Sequence, residues 1–329
     1  MPLDRFEREI DYLRISLTDR CNLRCIYCMP LSEVPYAARE DLLSAQEIGR
    51  VIDAAASVGF RRIRFTGGEP TLRPDLIEII EQTARVEGIR DIALTTNGMR
   101  LPELAAPLRA AGLNRVNVHI DSLSATRLPQ IMRWGDARLV RAGIDAALAA
   151  GLAPMKLNCV VTAGYNEEDV VELARLTLEH DWHVRFIELM PLGGGECADI
   201  SRDRYVPTAA TRARIEEALG PLDALPKTNP ADESANHRLA GAPGVVGFIS
   251  PVSAPYCNTC NRMRLTADGR FHLCLLHDDE LDIRTALRAG ASCEKIGAIL
   301  LRAVGAKPTG HALDQGISPL NRSMHHIGG

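Results

Sequence analysis

The sequence predicts an α/β protein: a TIM-like barrel of six β/α units, left incomplete, followed by a smaller C-terminal domain. Three observations carry that prediction. Six strand-like runs alternate with helix-like runs through the first two thirds of the 329 residues, the pattern of parallel strands joined by helical crossovers. The strands alternate polar and apolar residues, which fits helices on one face and a polar cavity on the other. From about Gly220 the alternation lapses into GPLDALPKTNPADESANHRLAGAPG, rich in Pro, Gly, Asn and Asp, and reads as a loop or linker.

In chain order the strand-like runs are YLRISL from Tyr12, RIRFT from Arg62, DIALTT from Asp91, RVNVHI from Arg115, MKLNCVVT from Met155 and VRFIEL from Val184. Ser44 and Glu47 have capping-box spacing before the first helical run. Pro74 and Asp75 open PDLIEIIEQTARV, and Asn166 is expected to cap EEDVVELARLTLEH. Arg62, Arg64 and Thr66, then Asn117, His119 and Asp121, then Lys156 and Asn158 fall on the polar strand faces. The lumen is therefore polar and contains several cations, which suits an anionic ligand. Six units are fewer than the eight of a closed barrel, so the barrel is expected to be open along one side. Residues 1–219 form this part; residues 220–329 hold the linker, a hairpin turning at Ala267–Arg270 and the chain end.

Composition narrows the function classes. Apolar residues make up 46% and charged residues 24%, the balance of an ordinary globular protein. Aromatics at 4% and a net charge of −4 leave neither stacking platforms nor a basic footprint for nucleic acid. The start, MPLDRFEREIDYLR, lacks the apolar core of a signal peptide, and no run reaches membrane-spanning length. A cytoplasmic location is expected. Of nine cysteines, six cluster in two triads, which is not a disulfide framework. Cys159, Cys197 and Cys293 stand alone and read as small packing residues.

The unusual residues fall just after the strands. A cysteine loop follows the first, TGGEP (Thr66–Pro70) the second, TTNG (Thr95–Gly98) the third, HIDS (His119–Ser122) the fourth and ELMP (Glu188–Pro191) the sixth. That is the end where barrel enzymes keep their active sites. The loop DRCNLRCIYCMP sets Cys21, Cys25 and Cys28 at C-x3-C-x2-C. A structural zinc site wants four ligands and no His lies in the loop, whereas a four-iron cubane can take three cysteines and keep one iron open. A second triad is Cys257, Cys260 and Cys274, with the hairpin folding Cys274 back toward the other two. Here zinc stays in play, with His272 or His277 as a fourth ligand. Arg262 and Arg264 sit two apart on the hairpin's first strand, hence on one face beside this triad. Gly193–Gly195 reads as a flexible turn, and no G-x-x-x-x-G-K-[ST] phosphate loop is present.

The first triad followed by TGGEP resembles the radical S-adenosylmethionine enzymes. YLRISLTDRCNLRCIYCMP, RFTGGEPTLR, LTTNG, VNVHIDSL, RFIELMPLG, PYCNTCNRMRLTADGRFHLCL and the terminal IGG together resemble the GTP 3′,8-cyclase family of molybdenum cofactor biosynthesis. The resemblance implies two 4Fe–4S clusters, one on Cys21, Cys25 and Cys28 and one on Cys257, Cys260 and Cys274, which makes the C-terminal region a cluster-binding domain. Tyr27, Gly68, His119 and Met190 would line S-adenosylmethionine. Arg14, Arg64, Thr95, Lys156, Arg262 and Arg264 would contact GTP, and Gly328 and Gly329 would reach in beside it. A 5′-deoxyadenosyl radical would take hydrogen from ribose C3′, which then attacks guanine C8. The implied partners are an electron-donor protein and a cyclic pyranopterin monophosphate synthase acting on the product. A homodimer is compatible; nucleic acid and membrane are not expected. The family usually has Ser where this chain has His119.

Two rivals stand beside this reading. A peptide-modifying radical enzyme would usually carry more C-terminal cysteines and has no need of the arginine pair. A zinc-binding structural or RNA-binding protein fits poorly with the low aromatic content and negative charge.

Overall fold

The structure, a computed structural model, describes residues 1–31, 34 and 36–328. The six expected strands are present as β1 (Tyr12–Ser16), β2 (Arg62–Thr66), β3 (Asp91–Thr96), β4 (Arg115–His119), β5 (Lys156–Val161) and β6 (His183–Glu188). Each pairs in parallel with the next. Between them run helices α1 (Ala45–Ser57), α2 (Leu76–Ala84), α3 (Leu101–Ala110), α4 (Leu128–Met132), α5 (Ala137–Ala149) and α6 (Val170–Glu179). Helices α7 (Gly195–Asp203) and α8 (Thr208–Leu219) follow β6.

Alternation along each strand divides the molecule. Leu13, Ile15, Ile63, Phe65, Leu94, Val116 and Val118 face the helices and join one buried core with Ile48, Ile52, Leu108 and Ile144. The residues between them face the lumen. Register then gathers cations, because Arg14 stands opposite Arg64 on β2 and opposite Arg264 on the other side. Three guanidinium side chains thus lie on one rung of adjacent strands, on one face.

The C-terminal region is woven into the same sheet. Strands β7 (Leu222–Ala224), β8 (Ala235–Leu239) and β9 (Val245–Ile249) form a meander that joins the β6 edge through β9. Strands β10 (Arg262–Leu265), β11 (Arg270–His272) and β12 (Glu280–Asp282) join the β1 edge through β10. The order is β12-β11-β10-β1-β2-β3-β4-β5-β6-β9-β8-β7, and among the described residues no pairing joins its two ends. The barrel is open, as expected. Helices α9 (Arg284–Arg288), α10 (Cys293–Gly305) and α11 (Met324–Ile327) complete the chain, with α10 packed on α1.

Several local expectations hold. The Ser44–Glu47 capping box is formed in both directions, and the hairpin turns where Asp268-Gly269 predicts. Three do not. The stretch after Gly220 is not a plain linker, since β7 and β8 pair across it. Asn166 does not cap α6, which begins at Val170. Its amide instead ties the β5 exit together, accepting from the Thr162 N–H at 2.7 Å and donating to the Asp121 and Val160 carbonyls at 2.9 Å. A local turn that satisfies the side chain has displaced the cap. Cys159 and Cys197 are buried, but Cys293 is exposed at the start of α10.

Candidate active site

The cysteine loop is docked backbone to backbone on the turn after β2. Gly68 N–H donates to the Thr18 carbonyl at 2.7 Å, and Glu69 N–H to the Arg20 carbonyl at 2.8 Å. A Cβ at Gly68 would run into the Arg20 carbonyl, so only glycine allows this approach. The Glu69 carboxylate crosses to the next loop, accepting from Thr71, Thr96 and the Asn97 N–H at 2.6–3.0 Å. Asn97 in turn reaches Asn22 at 2.8 Å. The ends of β2 and β3 are thereby locked to the cysteine loop that follows β1. Within it, Cys28 and Met29 N–H groups both donate to the Cys25 carbonyl. Cys21, Cys25 and Cys28 open on one cavity, together with Tyr27, Gly68, His119 and Met190.

Burial raises all three thiols above their ordinary range, Cys21 to about 11. At the cavity wall the Tyr27 hydroxyl donates to Asp121 at 2.6 Å and lies 2.7 Å from His119 Nε2, which itself lies 3.1 Å from Asp121. Burial alone would lower the His119 pKa; the Asp121 charge and hydrogen bond outweigh it and hold it above the usual value. His119 lines the cavity, with Nε2 engaged by Tyr27 and Asp121.

The opposite wall is cationic. Arg14, Arg64, Arg185, Arg262 and Arg264 line it with Thr95, and the five arginines are at most 7% exposed. Burial and mutual repulsion pull Arg64 and Arg264 below the usual arginine range. Asn117, with its amide oxygen turned to the cations, accepts from Arg64 at 2.8 Å and Arg185 at 3.1 Å. Arg14 Nε, Arg64 Nε, Arg262 Nη2, Arg264 Nε and Thr95 Oγ1 are buried with no protein partner among the described residues. Leaving such donors unpaired costs roughly 1–3 kcal/mol each, so the wall is built for an acceptor-rich ligand. Among the described residues, the carboxylate paired with these cations is Glu233, from the β7–β8 loop. Lys156 lies on the Asn158 face of β5, two residues nearer the strand start, and does not line the cavity. Burial, with Arg185 and Arg115 nearby, pulls it down to about 8.

The second triad sits where β10 and β11 begin and end. Burial would raise Cys260, but Arg262 and Lys307 overcome it and hold the thiol at about 6. Cys274, raised by burial, is also opposed by Lys307 and Arg264. Lys307 is 3% exposed and spans the two strands, donating to the Arg262 and Leu273 carbonyls at 2.7 Å each. Arg8 clamps the Cys257 turn from the N-terminal arm, donating to the Cys257, Thr309 and Pro308 carbonyls at 2.7–2.8 Å. His272 turns Nδ1 to Glu280 at 3.1 Å, and His277 lies 3.0 Å from the Gly310 carbonyl. Among the described residues no three Cys, His, Asp or Glu side chains converge on a single-ion site. A cubane does not ask them to, because each ligand goes to a different iron. Three cysteines without a fourth protein ligand suit an iron–sulfur cluster with an open iron at each place, the first set on the cavity wall and the second beside the strand that carries Arg262 and Arg264 into it.

The sequence reading left Glu233, Arg185, Lys307 and Arg8 out of the site. Arg185 had a signal in its alternation on β6; the other three had none. Gly328 packs its backbone on the β2 end, where a Cβ would strike Thr66, at a φ of 76°. Gly329 lies outside the described residues.

A family model described as Radical SAM superfamily matches residues 15–177, and one described as Molybdenum Cofactor Synthesis C matches residues 182–313. The chain is 46% identical over 326 residues to a protein of Moorella thermoacetica named GTP 3′,8-cyclase, covering 99% of each. It is 47% identical to one of the same name from Heliobacterium modesticaldum, over 99% of this chain and 100% of that one. Among solved structures, Streptococcus suis SuiB bound to S-adenosylmethionine aligns with a TM-score of 0.60 at 14% identity, covering 89% of this chain and 68% of that one. That likeness concerns the fold.

Proposed function

The chain belongs to the GTP 3′,8-cyclase family, and from that premise we propose that its cavity holds S-adenosylmethionine at the Cys21–Cys28 end and GTP at the arginine end. It is a radical S-adenosylmethionine enzyme of molybdenum cofactor biosynthesis that converts GTP to (8S)-3′,8-cyclo-7,8-dihydroguanosine 5′-triphosphate. Cys21, Cys25 and Cys28 hold three irons of a 4Fe–4S cluster, and Cys257, Cys260 and Cys274 three irons of a second. When bound, the first cluster supplies the electron that splits S-adenosylmethionine to a 5′-deoxyadenosyl radical.

The chain's own residues do the rest. Gly68 and the backbone around it give close approach to the cofactor's small polar groups. Tyr27, His119 and Asp121 form a fixed polar wall, with Met190 as its apolar counterpart. Arg14, Arg64, Arg185, Arg262 and Arg264 take the triphosphate and guanine acceptors, each guanidinium able to bind two oxygens at once. Thr95 offers a hydroxyl to the nucleotide. Gly328 packs its backbone against Thr66, which lines the cavity. Such fixed placement of ribose C3′ relative to the radical and of C8 relative to C3′ is worth orders of magnitude in rate. Residues 1–219 serve the cofactor, and residues 220–329 complete the nucleotide end. The reading also carries a cytoplasmic location, an electron-donor protein and a downstream synthase; among the described residues no helix is long and apolar enough to cross a membrane.

The observation that carries the reading is the row of unpaired buried donors opposite the first triad, on one cavity. Anaerobic incubation of reconstituted enzyme with GTP, S-adenosylmethionine and a reductant should yield 5′-deoxyadenosine and a cyclised nucleotide of unchanged mass by mass spectrometry. Cleavage of S-adenosylmethionine that GTP neither stimulates nor turns into cyclised product would overturn it.

A further inference from the structure

The β7–β8 loop sends a carboxylate into the nucleotide end of the cavity. Glu233 accepts from Arg14 Nη2 at 3.1 Å and from Arg262 Nη1, and Arg185 Nη1 stands 3.9 Å away. Its side chain is 12% exposed. Asp232 beside it adds a second negative charge that acts on Lys156 and Arg185. Among the described residues the loop's other hydrogen bonds stay within its hairpin, while Ser234 is buried against Gly247 of β9. Among the described residues, Lys227 Nζ donates to the Asp232 carbonyl, and Asn229 and Asp232 side chains accept from the Ala231 and Ser234 N–H groups. Residues Pro226, Lys227, Thr228 and Pro230 are exposed. A loop whose tip faces solvent is thus tied to the arginines of the barrel interior through the Glu233 carboxylate, with Ser234 buried next to it.

We propose that Glu233 is an internal stand-in for a substrate phosphate, and that residues 225–234 form a gate which the nucleotide's triphosphate opens by taking Arg14 and Arg262. The inference rests on GTP being the ligand of this wall. Five buried arginines without an anion repel one another, and Glu233 supplies the nearest counter-charge. A triphosphate brings several negative charges to the same cations and repels the carboxylate it meets there. Beyond Leu225, whose N–H stays on the Asn236 carbonyl of β8, the residues up to Ala235 can swing out without unpairing either strand. Exchange of this kind also discriminates. A guanosine brings no charge and cannot displace Glu233, whereas a triphosphate brings more than it displaces. Glu233 thereby makes the site answer to the phosphate count of the nucleotide.

The test uses reconstituted holoenzyme, wild type and Glu233→Gln, with GTP, guanosine and inorganic tripolyphosphate as probes. By anaerobic calorimetry Glu233→Gln should bind GTP and tripolyphosphate about tenfold tighter or more, the scale of one charged hydrogen bond, and its preference for them over guanosine should shrink. Hydrogen exchange of residues 225–234 in the wild type should rise when tripolyphosphate or GTP is added, a readout that needs no variant. Equal or weaker GTP binding by Glu233→Gln, or slower exchange of the loop on adding tripolyphosphate, would overturn the gate while leaving the GTP site standing. Wild-type holoenzyme that bound no GTP would overturn both.

Discussion

Cys28 and Cys260 are both thiols of a three-cysteine set, and both are largely enclosed by protein. Burial pushes Cys28 well above the ordinary thiol range, whereas Arg262 and Lys307 pull Cys260 down to about 6. Near the first triad the Glu69 carboxylate raises Cys21 and the Asp121 carboxylate raises Cys25 further, and Arg24 opposes them at Cys21 and Cys28 without overcoming burial. The second stands among arginines and a buried lysine. Equal numbers of ligands therefore do not make equal sites. At the first, the thiols would give up their protons only to the metal they bind, and two carboxylates leave that end of the cavity suited to a ligand that brings its own positive charge, as a sulfonium does. At the second, one thiolate is ready in advance, and the surrounding cations are shared with an anionic ligand.

The comparison breaks most completely by deleting each set. Replacing Cys21, Cys25 and Cys28 by Ala should abolish 5′-deoxyadenosine formation and leave about half the iron, the share of one four-iron cluster out of two. Replacing Cys257, Cys260 and Cys274 should abolish cyclised nucleotide while some uncoupled cleavage persists. Iron analysis and chromatography of the nucleoside products check both, and zinc in place of iron at the second triad would contradict the assignment.

The next effect concerns the thiols in cluster-free protein. Cys260 should react with iodoacetamide at a rate that rises through about pH 6 and is flat above it, while Cys21 should need a pH near 11. Arg262→Ala should move the Cys260 profile up toward the ordinary value of about 8.5, roughly a hundredfold in thiolate fraction at low pH. Mass spectrometry of the alkylated peptides reads both. Superimposable profiles would erase the contrast between the sites.

Arg262→Ala and Arg264→Ala should each weaken GTP binding by about 1.5–3 kcal/mol, the range for a charged hydrogen bond, with S-adenosylmethionine affinity unchanged. Wild-type GTP affinity in both variants would remove the arginine wall from the nucleotide site.

The smallest expected effect lies at His119. Its folded pKa is raised by Asp121, so its contribution to stability is fully present below the unfolded value of about 6.5 and lost as pH rises through the folded one. The stability gap between wild type and His119→Asn should therefore be largest below about pH 6.5 and shrink above it, read by denaturant melts across pH. His119→Ser should keep activity within a few fold, because Tyr27 still bonds Asp121. A gap that grows with pH would mean the ring sits neutral in the fold.

Much of this was legible in local sequence. The six parallel strands show themselves by alternation, and alternation also puts Arg14, Arg64, Arg262 and Arg264 on the lumen face. The Cys21–Cys28 spacing and Gly67-Gly68 announce the docked loop. What escaped is non-local. Nothing within PADESANH says that Glu233 will meet arginines from strands far away in the chain, because that contact is set by which edge β9 joins. Lys307 sits in AVGAKPTG like any surface lysine, and only the pairing of β10 with β11 creates the two carbonyls it spans. Asn166 was misread because its cap signal was genuine but a competing turn satisfied the same side chain.

The placement of β9 and β10 has a consequence for how the chain comes into being. Strands β1 and β6, the margins of the six-strand barrel, gain their outer neighbours from segments made last. During synthesis the first two thirds must emerge with both margins bare, offering rows of unpaired backbone groups to any other chain. A fragment ending near residue 219 would keep that state permanently. Strand addition from the far end of the polypeptide is therefore the step that turns a sticky nascent chain into a finished enzyme, and a ribosome that stalls before Leu265 has made something closer to an aggregation seed than to half a protein.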